Sequence, residues 1–276
     1  DMLGNVKINT AVNQKNLAVS MGEGNDTLNV EGSGNAIAGT LDLSAGENTV
    51  NIKKDGDLAI QDLTTEGAAK TVLNIDGTLK VDAEALVFEA GTTEINIGEN
   101  GKITDAEGNT VASISMQSAG ANKLYNKGVL ETDLEMRGNS NLIDNFNSFT
   151  ATDVLDMNGG IEMNEGQGSE LTDTIKYKAA DENTIENHGA FTAEAGINMF
   201  GNANKIDSKD GKFTAGDVVM AGTKTVENDK RHEEERTTFT QAGSNILINR
   251  DAENVMELGS LDMKGAKNSI NVADNE

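Results

Sequence analysis

Apolar residues recur along the chain in pairs separated by one polar residue. Such a pair has the period of a β-strand with one buried face. Taking the second residue of each pair as an anchor gives twelve anchors between positions 21 and 263, so that eleven steps average 22 residues. A repeat of this length is typical of stacked coils. The anchors are Met21, Leu43, Leu63, Phe88, Met116, Met136, Met157, Tyr177, Met199, Met220, Phe239 and Met263.

Two further apolar positions follow most anchors. A second strand begins seven or eight residues later, at Leu28, Val50, Ile95, Leu124, Ile143, Ile185, Ile206, Leu247 and Ile270. A third apolar position follows at Ile37, Leu58, Leu79, Ile103, Leu130, Phe149, Phe191 and Phe213. Each repeat therefore predicts three short strands.

Glycine and asparagine separate the first strand from the second. Glycine supplies the positive φ of a sharp corner, and we expect this at Gly24, Gly46, Gly91, Gly138, Gly201 and Gly265. Asn or Asp precedes the second strand, at Asp26, Asn48, Asn122, Asn141, Asn183, Asn204, Asn245 and Asn268. Stacked side chains of this kind predict an amide ladder, in which each copy bonds the copies above and below.

The pattern predicts an all-β fold, a parallel β-helix of about twelve coils of about 22 residues with three short strands per coil. Residues 1–276 are expected to form a single β-solenoid domain, a fragment or processed part of a longer surface protein. One coil cannot bury its apolar side chains alone, whereas stacked coils close a narrow core. Helical repeats are disfavoured because Gly and Asn interrupt every few residues and no three-four apolar spacing is sustained.

Two segments disturb the register. The run 158–163 contains Ile161 and Met163, which repeat the anchor pair too early and compete with Met157. The run 230–236, Lys-Arg-His-Glu-Glu-Glu-Arg, carries charges where a strand is expected. We interpret it as a solvated loop at a corner, with a functional epitope as the alternative.

Composition excludes several classes of function. The chain has 46 Asp and Glu against 22 Lys and Arg, a net charge of -24, so no nucleic-acid partner is expected. It has no Cys, which excludes disulfides and thiolate metal sites, and no Pro, which suits paired strands. No apolar run is long enough to insert this segment into a membrane as a helix.

No catalytic, cofactor-binding or metal-binding residue is predicted. The run 22–28, Gly-Glu-Gly-Asn-Asp-Thr-Leu, resembles one copy of a calcium-binding nonapeptide repeat, but no second copy follows, so we interpret it as an ordinary corner and keep Ca²⁺ as the alternative. His188 and His232 lack the spacing of a metal site and are expected on the surface. Carboxylates are plentiful, and a polysaccharide-active enzyme needs a carboxylate pair, but the chain is poor in aromatic groups.

The chain resembles the passenger regions of Gram-negative autotransporters and filamentous-haemagglutinin-like adhesins. The resemblance rests on the repeat period, the Gly and Asn corners, the absence of Cys and the excess of acidic residues. The resemblance implies a secreted or surface-displayed β-solenoid at the bacterial cell surface, not an enzyme, that attaches to a host or bacterial receptor or mediates aggregation. An alternative is a subunit of an extracellular filament that self-associates through its end coils. An enzyme acting on polysaccharides is a third alternative.

Overall fold

The computed structural model describes residues 5–8, 19–166, 172–230, 234–250, 253 and 255–273. Every regular element in these residues is a β-strand, and the long sheets are parallel, which confirms the predicted all-β parallel β-helix. In the same ranges, no helix of the length and apolar character needed to span a bilayer is found.

The described residues form 29 strands. They are β1 (Asn5–Ile8), β2 (Val19–Ser20), β3 (Thr27–Val30), β4 (Asn35–Asp42), β5 (Glu47–Ile52), β6 (Asp57–Thr64), β7 (Lys70–Ile75), β8 (Thr78–Val81), β9 (Ala85–Phe88), β10 (Thr92–Ile97), β11 (Lys102–Thr104), β12 (Ser113–Met116), β13 (Lys123–Asn126), β14 (Val129–Glu131), β15 (Asp133–Arg137), β16 (Leu142–Asn145), β17 (Ser148–Ala151), β18 (Leu155–Asn158), β19 (Ile161–Asn164), β20 (Thr172–Tyr177), β21 (Thr184–Asn187), β22 (Ala190–Phe200), β23 (Lys205–Ser208), β24 (Phe213–Ala221), β25 (Lys224–Asp229), β26 (Glu234–Phe239), β27 (Ile246–Asn249), β28 (Met256–Met263) and β29 (Ser269–Val272).

The longest sheet contains eleven parallel strands, in the order β1-β3-β5-β7-β10-β13-β16-β21-β23-β27-β29. We call it the long sheet. All the residues predicted to begin the second strand stand in one column of this sheet, directly over one another, and Leu73 joins them. This vertical register is the arrangement that the 22-residue spacing predicts.

The other faces of each coil complete the core. Met136 pairs with Met116 and Met157, and the column continues through Met199 and Met220. A second column stacks Phe149, Phe191 and Phe213, with ring centroids 4.8 and 4.9 Å apart. All of these side chains are fully buried. Identical residues thus pack on identical residues from coil to coil.

One predicted anchor is shifted by two residues. Leu63 pairs with Leu41, so it occupies the position two before the anchor. The fully buried Thr65 follows where Leu63 was predicted to lie, and its hydroxyl accepts a hydrogen bond from the Glu89 N–H at 2.8 Å. The apolar pattern failed here because the polar Thr65 fills the interior position that the apolar Leu43 fills in the preceding coil.

Two further anchors, Tyr177 and Phe239, are wrong. They lie in a four-stranded antiparallel sheet, β19-β20-β25-β26, built from two hairpins outside the stacked coils. The buried Phe200 lies between them, with ring centroids 5.8 Å from Tyr177 and 6.4 Å from Phe239. The two aromatic residues therefore join the bases of the hairpins to the solenoid instead of filling its core.

The hairpins also explain the two disturbed segments. Met157 is buried in the stack, whereas Met163 lies on β19 and is 70% exposed. Residues 234–236 of the charge run belong to the exposed strand β26, so the predicted loop is wrong for them. Lys230 forms an ion pair with Asp173 at 2.7 Å, and residues 231–233 lie outside the described residues.

The corner glycines behave as predicted. All six have positive φ, from 67° at Gly91 to 135° at Gly24. At Gly46 the packing adds a second requirement, because a Cβ atom there would overlap the carbonyl oxygen of Gly24 in the preceding coil. Glycine thus serves both the turn geometry and the close approach of successive corners.

The corner asparagines are buried, except for the half-buried Asn268, but do not form the predicted side-chain ladder. The Oδ1 atom of Asn183 accepts a hydrogen bond from the backbone N–H of Asn141 at 3.0 Å, and Asn204 accepts in the same way from Asn183. Their Nδ2 atoms donate to carbonyls of their own corner, as from Asn204 to Gly201 at 3.0 Å. Each amide therefore connects backbone to backbone across coils, which satisfies groups that the corner would leave unpaired.

Amide ladders do occur elsewhere in the long sheet. On its outward side, Asn29, Asn51, Asn74 and Asn96 are joined side chain to side chain at 2.8 to 2.9 Å. Inside the core, a second ladder joins Asn126, Asn145 and Asn187 at 2.8 to 2.9 Å. The ladder that the sequence predicts at the corners is thus found along the strands.

Asp26 is the exception in the corner column. It is buried, and its Oδ2 atom has no hydrogen-bond partner. The equivalent Asn48 donates from Nδ2 to Leu43 and Ala45 carbonyls at 2.8 and 2.7 Å. A carboxylate cannot donate these bonds. We expect Asp26→Asn to raise the free energy of unfolding by about 1 to 2 kcal/mol, measured by urea denaturation.

The control for this prediction is Asp76→Asn, which removes the same charge from an exposed position. Because the chain carries a net charge of -24, removal of any carboxylate relieves some repulsion. A gain at Asp26 no larger than the gain at Asp76 would contradict the account.

Candidate functional site

The outward side of the long sheet combines polar and aromatic side chains. We define the long-sheet face as the outward residues of β5, β7, β10, β13, β16, β21, β23 and β27, with the residue that follows each strand. A groove of about 1110 Å³ crosses it. Its lining includes Asn51, Lys53, Asn74, Asn96, Lys123, Tyr125, Lys127, Asp144 and Phe146.

Strand alternation places these groups outward. Asp144 lies between Ile143 and Asn145, which are both buried, so its own side chain points away from the core. The parallel register then brings Asp144 beside Tyr125 on one side and Glu186 on the other. The same outward column thus changes from amides, through a tyrosine, to the carboxylates of Asp144, Glu186 and Asp207.

An aromatic stack ends the groove. The rings of Phe146 and His188 are parallel, at 1°, with centroids 4.6 Å apart. The Lys127 ammonium lies 5.7 Å from the Phe146 centroid. Phe146 is 44% exposed. This stack therefore offers an apolar edge within a polar surface.

Two of the three carboxylates in the column are paired with cations. Arg250 donates to both oxygens of Asp207, at 2.6 and 2.8 Å, and Lys205 lies 2.7 Å from Asp207. Burial alone would raise the pKa of Asp207, but these hydrogen bonds hold it at about 2. Lys209 donates to Glu186 at 2.5 Å, and Lys205 lies 3.8 Å from its other oxygen.

Asp144 is held differently. Within the described residues, its one ion-pair partner is the imidazole of His188, with Nε2 at 3.7 Å from Oδ1. Burial raises the pKa of Asp144, and the neighbouring Glu186 raises it further, while His188 opposes both. Asp144, Glu186 and His188 form the group of potential metal ligands found in the described part of the chain.

The prediction for His188 is corrected by this geometry. The side chain is 23% exposed and is held between Phe146, Asp144 and Asp210, so it is not a free surface histidine. His232 lies outside the described residues. Residues 22–26 of the run 22–28 form a corner between β2 and β3, as predicted, while Thr27 and Leu28 begin β3, and Ca²⁺ binding there stays a prediction.

A carboxylate pair occurs on another face, beside the hairpins. Glu135 and Asp156 are register partners on β15 and β18. Burial would raise the pKa of Glu135, but hydrogen bonds from Arg137, Asn158 and Ser115 lower it. Burial raises the pKa of Asp156 to about 6 despite a 2.7 Å hydrogen bond from Asn198. Opposite shifts suit acid–base chemistry, yet both carboxylates are engaged by neighbouring coils.

The raised pKa of Asp156 predicts a specific pH dependence. The contribution of this group to stability is complete below its ordinary pKa of 3.8 and is lost as pH rises through about 6. Between pH 4 and pH 7, wild type should lose about 2 kcal/mol of unfolding free energy relative to Asp156→Asn. Urea denaturation of both proteins across this range measures the difference, and parallel curves would contradict the assignment.

No known protein family, curated protein or solved structure matches the chain.

Proposed function

We propose that this chain is a secreted or surface-displayed structural β-solenoid that attaches to a receptor on a host or bacterial surface. The observation that carries the proposal is the groove on the long-sheet face, where Tyr125, Lys127 and Phe146 stand beside a row of amides. Its walls are strands of a continuous parallel sheet, so the contacting side chains are held rigidly. A rigid solenoid with aromatic side chains in a surface groove suits a protein that holds its binding surface away from the cell that displays it.

Attachment of beads coated with the full chain tests this proposal. A triple variant, Tyr125→Ser, Lys127→Ser and Phe146→Ser, should reduce attachment to bacterial and host cells at least tenfold. The control variant, Lys102→Ser with Val129→Ser, changes exposed residues on another face and should attach like wild type. Equal attachment by all three proteins, or no attachment by wild type, would contradict the proposal.

A second candidate is a filament subunit that stacks end to end. Ile270 and Val272 on β29 continue the core columns, yet they are 56% and 63% exposed. A second copy or further coils would cover them. Electron microscopy of the chain alone tests this candidate: long filaments that Ile270→Lys abolishes would support it, whereas isolated short rods would support the attachment role.

We expect no cleavage of glycans by this chain. Depolymerisation assays on acidic and neutral glycans test this expectation. The variants Glu135→Gln and Asp156→Asn show whether any cleavage depends on the carboxylate pair. Glycan cleavage that either variant abolishes would contradict it.

A further inference from the structure

The carboxylate column of the long-sheet face contains one member without a matching cation. Glu186 and Asp207 are bonded by lysine or arginine, but no ammonium or guanidinium group of the described residues forms an ion pair with Asp144. Its Oδ1 atom is enclosed by protein and has no hydrogen-bond partner. An enclosed carboxylate oxygen without a donor is costly. This oxygen is therefore open to a partner that the described side chains do not supply.

The distance from Asp144 to His188 indicates what the partner is. Oδ1 and Nε2 are 3.7 Å apart, which is too long for a hydrogen bond. Two ligands of one tetrahedral zinc ion, each about 2.0 to 2.2 Å from the metal, lie about 3.4 Å from each other. The ligand atoms of Asp144, Glu186 and His188 all lie within 4.8 Å of one another. The three groups can therefore approach one ion after small rotations.

The surroundings of His188 fit a metal ligand. Its second nitrogen, Nδ1, lies 3.4 Å from a carboxylate oxygen of Asp210. Metal-bound histidines commonly donate from the second nitrogen to a carboxylate, which fixes the tautomer and the ring orientation. The parallel ring of Phe146 restricts the imidazole from one side. Both contacts leave Nε2 directed towards Asp144.

Glu186 supplies the third ligand. Lys209 occupies its Oε2 atom at 2.5 Å, whereas the nearest cation to Oε1 is Lys205 at 3.8 Å. An imidazole combined with two carboxylates favours Zn²⁺, Cu²⁺ or Ni²⁺ over Ca²⁺ and Mg²⁺, which prefer oxygen ligands. Three protein ligands leave one tetrahedral position for water.

We propose that Asp144, Glu186 and His188 form a binding site for one divalent transition-metal ion, with Asp210 positioning the histidine. The spacing of these residues in the sequence conceals the site. Asp144 and Glu186 are 42 positions apart and become neighbours only because β16 and β21 pair directly, after the hairpin between them has left the stack.

Calorimetric titration of the EDTA-treated full chain with Zn²⁺ is the first test. One saturable equivalent is expected, and His188→Gln and Asp144→Asn should each weaken it at least tenfold. Asp210→Asn should weaken it about tenfold to a hundredfold, because it acts through the histidine. Asp76→Asn, an exposed carboxylate on the same face, should bind like wild type. The melting temperature of each variant shows whether it is folded.

Electron paramagnetic resonance of bound Cu²⁺ is the second test, because it detects a histidine nitrogen bound to the metal in the wild-type protein. The chain has two histidines, so a nitrogen hyperfine signal should disappear in His188→Gln and persist in His232→Gln. The opposite result, or Zn²⁺ binding by several weak equivalents that the Asp144 and His188 substitutions leave unchanged, would overturn the proposal.

Discussion

Phe191→Ala is expected to lower the free energy of unfolding by about 3 to 5 kcal/mol. The Phe191 ring is fully buried and packs between Phe149 and Phe213, at centroid distances of 4.8 and 4.9 Å. Its removal leaves a cavity between two aromatic rings and breaks the column in the interior of the solenoid. Urea denaturation measures the loss.

The control for Phe191 is Val129→Ala, because Val129 is 57% exposed and its truncation opens no cavity. Each coil contacts mainly its neighbours, so the loss can be local. Amide hydrogen exchange should therefore rise first in β17, β22 and β24. A loss at Phe191 as small as that at Val129 would show that the ring does not lie between two others.

Asn204→Ala is expected to cost about 2 to 4 kcal/mol, although the residue is polar. Its Oδ1 accepts from the Asn183 backbone N–H at 3.0 Å, and its Nδ2 donates to the Gly201 carbonyl at 3.0 Å. Alanine makes neither bond, and it leaves backbone groups of two coils buried without partners. The melting temperature and the denaturation midpoint should both fall.

Asn100→Ala is the matched control for Asn204, since Asn100 is exposed in a turn. Asn204→Asp adds a further comparison, because it keeps the acceptor and loses the donor. The expected order of stability is wild type, Asn204→Asp and then Asn204→Ala. If Asn204→Ala were as stable as Asn100→Ala, the corner asparagines would have no role in joining coils.

The core columns could be predicted because each needs only an apolar residue at one regular spacing. Leu28, Val50 and Ile143 stand above one another since every coil must cover its apolar face with the next. The corner glycines could be predicted for a similar reason, since positive φ at Gly46 and Gly138 restricts the residue type.

The hairpins could not be predicted from the same pattern. Ile175 and Tyr177 have the apolar-x-apolar spacing of a core strand, but their strand pairs antiparallel with β19 and β25. An alternation of apolar and polar residues predicts that one face of the strand is buried. It does not predict which element packs against that face. The hairpins were visible in the sequence only as two disturbances, the competing anchors Met157 and Met163 and the charge run 230–236.

The candidate site was missed because one of its three residues comes from another coil. Asp144 lies in β16, whereas Glu186 lies in β21 and His188 follows it, and the outward position of each is ordinary for a polar residue. Spacing rules for metal ligands describe short separations along the chain, whereas 42 positions separate Asp144 from Glu186. In a solenoid, the useful rule is to compare outward residues in the same column of neighbouring coils.

The direct test of the stacked arrangement is a distance along one column. The chain has no Cys, so Lys53→Cys with Arg250→Cys places two spin labels directly after β5 and β27. Seven steps of the long sheet separate these strands, which predicts about 34 Å at about 4.8 Å per step. The pair Lys127→Cys and Arg250→Cys spans four steps and predicts about 19 Å. Double electron–electron resonance should give about 34 Å for the first pair and about 19 Å for the second. Equal distances, or a distance below about 20 Å for the pair at positions 53 and 250, would contradict the stacking of coils.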